Sequence, residues 1–196
     1  MPKKDNTPLE TYEWDSPWWE HTENKTSPRA LYIGDSISNG TRPVLNSICG
    51  EKLLFDGFPT SKALDNPYYI PSLELFMSQE QRLDFILFNN GLHGWHLSTE
   101  EYGKYYDEML AFLVKKGVPV YVVLTTFLPD DTEKQPIVSA RNDKAAALAE
   151  KYGLKVIDLY SVSKALPRES CCGDGVHFHA DGYTALAESI VKEVLK

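Results

Sequence analysis

The run Leu31-Tyr32-Ile33-Gly34-Asp35-Ser36 decides how this chain is read. Apolar residues of strand-forming type end at a glycine, and a serine follows just before Ile37 to Ile48, a segment able to start a helix. In open α/β sheets, ligands bind beyond the carboxyl ends of the strands. A serine at that point turns its hydroxyl and its backbone N–H toward the mouth of the crevice, and the positive end of the helix beside it stabilises a developing anion. The plainer alternative is that Ser36 simply caps the helix, which serine does well. This stretch alone does not choose between them.

From Pro28 onward, short β-branched or aromatic runs alternate with helical patterns, the signature of parallel βαβ construction. Strands are expected over Ala30 to Ile33, Lys52 to Phe55, Phe85 to Phe88, Val118 to Leu124 and Lys155 to Leu159, each bounded by Gly, Pro, Asp or Asn. Such continuous apolar runs suit strands covered on both faces. After the third strand, Ser98 and Glu101 are spaced as a capping box, and Tyr102, Tyr106, Met109, Leu110 and Leu113 form one stripe that Gly117 and Pro119 end. Further helices are expected from Ser139 to Tyr152 and from Asp181 onward. Between Gly57 and Arg82, Pro59, Pro67 and Pro71 predict an irregular crossover with a short helix near Ser72 to Ser78, a candidate substrate wall.

The length of 196 residues suits one compact domain, and 42% hydrophobic residues suffice for a core. The polar, proline-containing segment 1–27 carries Tyr12, Trp14, Trp18 and Trp19 and is expected to be an ordered strap whose tryptophans pack onto the body formed by 28–196. A formal charge of −8 repels phosphate backbones and anionic membranes, so nucleic acid is not an expected partner. Membrane insertion is not expected either, because no run approaches the roughly 18 apolar residues of a span. The three cysteines cannot all pair within the chain, and two are the adjacent Cys171 and Cys172, so a reduced compartment is the simpler reading. With no apolar signal segment after the opening residues, a cytoplasmic location is expected unless the chain has been trimmed.

A serine hydroxyl needs a base to remove its proton, and the base needs a carboxylate to orient it. Cys172-Gly173-Asp174-Gly175-Val176-His177 supplies both within four positions, on a loop where glycines at 173 and 175 let Asp174 reach Nδ1 of His177 and leave Nε2 to face Ser36. A solvated Gly-Asp-Gly surface turn is the alternative.

Together, Gly34-Asp35-Ser36 after the first strand and Asp174-Gly175-Val176-His177 before the last helix resemble the first and last blocks of the SGNH/GDSL hydrolases. The resemblance runs from Pro28 to the C-terminus. It implies a three-layer α/β/α, flavodoxin-like fold with a five-stranded parallel sheet, a Ser36, His177, Asp174 triad, and no metal or organic cofactor. It also implies an oxyanion hole formed by the N–H of Ser36, a glycine N–H after the second strand, and a side-chain donor after the third. Gly57 matches the second position best, with Thr60 or Ser61 as other donors in that loop. At the third the chain departs from the family's Gly-x-Asn-Asp and reads Asn89-Asn90-Gly91-Leu92-His93-Gly94, so the donor is either His93 or Asn90, and both are expected to line the pocket. The departure resembles a branch of the family that carries Asn-x-Gly-Leu-His here.

The pairs His93/His96 and His177/His179 also allow a zinc site with Asp174 to be considered, but their spacing is not that of a known site. Thr125 and Thr126 are expected to make strand-end hydrogen bonds, Arg141 and Asn142 to hold the loop from Pro129 to Pro136, and Cys171 and Cys172 to pack. The expected activity is hydrolysis of a carboxylic ester through an acyl-enzyme. Trp95, Tyr68 and Tyr69 near the pocket loops tilt the substrate toward acetylated saccharides; lysophospholipids and thioesters are alternatives within the family. The rival from another class is a non-catalytic carbohydrate-binding module on the same fold.

Overall fold

The computed structural model describes residues 10–79 and 82–195. Its centre is a five-stranded, wholly parallel sheet in the order β2-β1-β3-β4-β5, made of β1 (Arg29–Gly34), β2 (Leu54–Pro59), β3 (Phe85–Phe88), β4 (Val120–Val123) and β5 (Lys155–Ile157). Side-chain alternation along each strand feeds two cores. In β1, Ala30 and Tyr32 join α1 (Ser36–Cys49), α5 (Leu159–Ala165) and α6 (Ala180–Val194) on one face. Leu31 and Ile33 join α2 (Tyr69–Met77), α3 (Thr99–Val114) and α4 (Lys134–Lys151) on the other. Both faces are dry, which is why the strands read as continuous apolar runs rather than alternating ones. The architecture is the expected three-layer, flavodoxin-like one. Its strand order reverses between β1 and β3, so the crevice for a ligand opens beyond Gly34 and Phe88.

Several boundaries differ from the sequence reading. The second strand starts two residues late and runs through Asp56, Gly57 and Pro59, because Gly50–Lys52 forms a 3-10 turn first. Those three residues look like loop chemistry but are accommodated: Arg29 neutralises the buried Asp56 at 2.8 and 2.9 Å, and Pro59 ends an edge strand. Helix α4 begins at Lys134 rather than Ser139, because Pro136 falls in the first turn, where no backbone donor is needed. The last strand stops at Ile157, since Asp158 accepts from Ser161 N–H at 2.9 Å and starts α5, a helix not foreseen. The short crossover helix runs Tyr69–Met77. The capping box of Ser98 and Glu101 forms as read.

Of the segment 1–27, residues 1–9 lie outside the described residues, and the remainder is laid along the open edge of β2. Trp18 and Gly57 exchange both backbone hydrogen bonds at 2.9 Å, Ser16 N–H donates to Pro59 O, and Ser61 N–H to Trp14 O. The strap thereby covers an edge that would otherwise be open to pairing with another chain. Arg29 donates to the carbonyls of Glu20, His21 and Asn24, anchoring the far end of the strap. Trp19 stacks on Phe76 with ring centroids 4.1 Å apart, and Trp14 meets His93 edge-on at 6.4 Å. Trp18 is 53% exposed and packs less than expected.

Candidate active site

Asp35, not Ser36, caps α1: its Oδ1 accepts from Ile37 N–H at 2.9 Å. The Ser36 side chain is thus free of capping work, and its backbone N–H, at the first helical position, lies outside the helix's own hydrogen-bond ladder. Burial pushes the Asp35 carboxyl above its usual range, and among the groups opposing that shift the charge of His93 acts most, followed by the Ile37 N–H and the charge of His177.

The segment after α5 folds back as a narrow loop. Cys171 and Phe178 pair across it, Cys172 N–H donates to His177 O at 2.7 Å, and Gly175 adopts the left-handed conformation with φ 69°; Gly173 does not. Inside the loop, Asp174 Oδ1 accepts from the N–H groups of Val176 and His177 at 2.9 and 3.0 Å, and Oδ2 accepts from His177 Nδ1 at 2.7 Å. These bonds, led by the one from the imidazole, hold the Asp174 carboxyl down at about 2, so it stays ionised. Across the crevice, the Ser36 hydroxyl lies 2.8 Å from His177 Nε2. The order Asp174, His177, Ser36 is one in which a base can take the serine proton while a carboxylate steadies the resulting imidazolium.

The segment after β3 leaves the sheet beside the end of β1, where Asn89 N–H donates to Ile33 O at 2.9 Å. Asn89 is buried and structural: its amide donates to Val123 O at 2.8 Å and Thr125 Oγ1 at 3.2 Å. Asn90 is only 2% exposed, donates to Lys62 O at 3.3 Å, and has the Tyr69 hydroxyl beside it. The His93 side chain, at 18% exposed, is the more open of the two. Gly57 does not supply an N–H to the site. It lies inside β2, two residues short of the strand end, and its N–H is taken by Trp18 O at 2.9 Å. Thr60 and Ser61 do not replace it, since their N–H groups donate to Gly34 O and Trp14 O.

Arg141 has a different role from the expected one of holding the loop at 129–136. Fully buried, it donates to the carbonyls of Gly91, His93 and Gly94 at 3.0, 2.7 and 2.6 Å, and its guanidinium lies 5.0 Å from the Trp95 ring and 4.8 Å from that of Tyr102. One rigid, five-donor group thus fixes the backbone on both sides of His93. No periodicity marks such a residue in the sequence; an arginine on a buried helix face is the only signal. Asn142, its neighbour, bonds both the N–H and the C=O of Thr125 at 2.8 Å.

Gly91 owes its identity to that rigidity. A Cβ there would lie 2.0 Å from Thr125 Oγ1 and 2.8 Å from Thr125 Cβ, and Thr125 is held too firmly by Asn142 to give way. Gly91→Ala is expected to cost about 1–3 kcal/mol of stability, read as a lowered thermal midpoint, and to displace the loop that carries His93.

The other histidines lie apart from this arrangement. His96 Nε2 pairs with Asp65 at 2.9 Å, and His179 Nδ1 lies 3.8 Å from Cys172 Sγ. Among the described residues, no group of three or more His, Cys, Asp or Glu side chains is placed to hold a metal ion. All three cysteines are free. Of the aromatic residues expected at the pocket, Tyr69 is buried in the core, Tyr68 is exposed, and Trp95 is half-buried between Arg141 and Lys134. No helix among the described residues is long and apolar enough to cross a membrane.

The sequence matches no protein-family model and no curated protein. Solved structures do match. A member of the lipolytic G-D-S-L family from Veillonella parvula is 18% identical with a TM-score of 0.72, over 87% of this chain and all of that one. The acetyl xylan esterase AlAXEase is 16% identical with a TM-score of 0.69, over 85% of this chain and 99% of that one. LAE5, an α/β hydrolase from the metagenome of Lake Arreo in Spain, is 14% identical with a TM-score of 0.69, over 86% of this chain and 96% of its own. A parallel sheet of this order, together with these likenesses over nearly the whole of each chain, gives the protein the SGNH/GDSL hydrolase fold.

Proposed function

We propose that this chain is a serine esterase that forms and then hydrolyses an acyl-enzyme on Ser36, with acetylated carbohydrates as its substrate class. The observation that carries the reading is the unbroken hydrogen-bonded line from Asp174 Oδ2 through His177 to Ser36 Oγ, with links of 2.7 and 2.8 Å. His177 Nε2 takes the hydroxyl proton as Ser36 Oγ attacks the ester carbonyl, and Asp174 steadies the imidazolium. The oxyanion is held by the Ser36 N–H and the His93 side chain, while Asn90, nearly buried and bonded to Lys62 O, lines the same wall. His177 then gives its proton to the leaving alcohol, water replaces that alcohol, and the same imidazole activates the water to release the acid.

What borders the triad supports the substrate class. Beside Asp174 lies an open groove of about 360 Å³ lined by Asp130, Asp131, Thr132, Glu133, Asp174, Gly175 and Val176. Asp174 is taken up by His177 and its own loop and Asp130 is paired with Arg168, so it is Asp131 and Glu133 that suit a hydroxyl-rich leaving alcohol, accepting its hydrogen bonds. They disfavour the phosphate of a lysophospholipid and offer no apolar channel for a long acyl chain. Trp95 supplies a ring near the same loops, and Tyr69, buried in the core, is set aside as a sugar platform.

The test is an acyl-length series of nitrophenyl esters run beside acetylated oligosaccharides, with fluorophosphonate modification mapped by mass spectrometry. The expected result is one adduct, on Ser36, and turnover that falls as the acyl chain lengthens. An adduct elsewhere removes the nucleophile assignment, and a strong preference for long acyl chains removes the carbohydrate reading.

A further inference from the structure

The strap reaches the site as well as the sheet edge. Glu10 Oε1 accepts from Gly94 N–H at 2.6 Å, across 84 residues of chain, and lies 3.7 Å from His93 Nδ1, near but beyond hydrogen-bond length. Trp14 presents its ring edge-on to the His93 imidazole. On the sheet side, Arg141 holds the carbonyls of Gly91, His93 and Gly94. The peptide following His93 is therefore gripped from both directions: its C=O by a buried guanidinium, its N–H by a carboxylate from the strap. Trp14 is itself placed by backbone and side-chain bonds to Ser61, with Trp14 N–H 2.8 Å from Ser61 Oγ and Ser61 N–H 3.0 Å from Trp14 O.

We infer that Glu10 and Trp14 are positioning residues for the His93 imidazole, so that the N-terminal strap is a working part of the active site rather than only a cover for β2. The inference rests on the esterase reading and deepens it. The need is physical. Asparagine, the family's usual donor here, carries its NH₂ at the δ position, whereas histidine can put its donor Nε2 one atom farther out, so that the same small rotation about χ1 or χ2 moves the donor farther. A donor displaced by about 1 Å loses much of its effect on an oxyanion, on the order of 10- to 100-fold in rate. Arg141 fixes only the backbone of this loop; the strap adds the second backbone anchor and the contact that limits the ring.

The test is a double-mutant cycle in the full chain, with p-nitrophenyl acetate as substrate. Glu10→Ala is expected to lower kcat about 10-fold or more with KM changed by less than about threefold, because the group it places acts on the transition state. Glu10→Gln keeps an oxygen acceptor for Gly94 N–H and is expected to recover most of that loss. In a His93→Ala background, Glu10→Ala should cost nothing further, since it acts through the imidazole. A full additional loss in that background overturns the inference, as does a Gln variant as slow as the Ala variant. The imidazole ¹⁵N spectrum of the same variants gives a readout that needs no turnover: His93 resonances should move in Glu10→Ala while those of His179 stay. If the parent has no Ser36-dependent turnover the esterase reading fails, and an unmoved His93 spectrum then defeats the strap inference separately.

Discussion

Ser36→Ala should reduce p-nitrophenyl acetate hydrolysis by about 10⁴- to 10⁶-fold while leaving the fold intact, the range seen when a triad nucleophile is deleted. The structure makes the variant a clean one. Ser36 does not cap α1, because Asp35 does, so the substitution removes no helix-capping bond. The hydroxyl's hydrogen-bond partner is His177 Nε2, on a loop whose own geometry is set by Asp174, Cys172 and Gly175. The thermal midpoint should therefore stay within a few degrees of the parent's. Equal rates in parent and variant would sink the mechanism. Absence of turnover in the parent, with saccharide binding that survives Ser36→Ala, would instead favour a binding module built on a hydrolase fold.

The parts of this site legible in the sequence are those whose partners are close along the chain. Asp174 and His177 stand three residues apart, and their loop is set by its own short-range bonds, so the pairing is written locally. Ser36 follows a strand that is apolar on both faces, and such a strand places what comes next at the carboxyl edge of the sheet. The missed parts depend on distant partners. The family resemblance makes Gly57 a donor just beyond the second strand, but Arg29, 27 residues from Asp56, and the strap, whose Trp18 bonds Gly57, extend the strand through it. Arg141 reaches Gly91 O across 50 residues, a pairing that no local pattern encodes. The expected last strand overruns into Leu159, the first residue of α5, because Ile157-Asp158-Leu159 carries the apolar character of a strand end, while the cap that divides them acts through the Asp158 side chain.

Asp174→Asn should lower kcat/KM by about 10³-fold, and the reason lies in how many bonds its two oxygens carry. Oδ1 accepts from two backbone N–H groups and Oδ2 from the imidazole. Asparagine has a single oxygen. If it keeps the backbone bonds, its NH₂ faces Nδ1 and drives the ring proton to Nε2, where it blocks acceptance of the serine proton. If it turns its oxygen to the ring, the loop that presents His177 loses its anchor. Either state costs rate. The Asp174 side chain is 51% exposed, so solvent screens its charge, and it is the hydrogen-bond arrangement rather than long-range attraction that sets the loss. The pH dependence separates charge from geometry. Because the folded carboxyl is held at about 2, below its ordinary 3.8, its contribution to stability is complete above the unfolded value and fades only as pH falls from 3.8 toward 2. Above about pH 4 Asp174 does not change charge, so the acid limb of the parent's log(kcat/KM) should have a slope of one, from one proton on the imidazole. A slope of two would mean that a second carboxyl titrates with His177, either Asp174 or the buried Asp35, whose carboxyl is pushed up by burial, and whether Asp35→Asn keeps or removes the second proton would tell them apart.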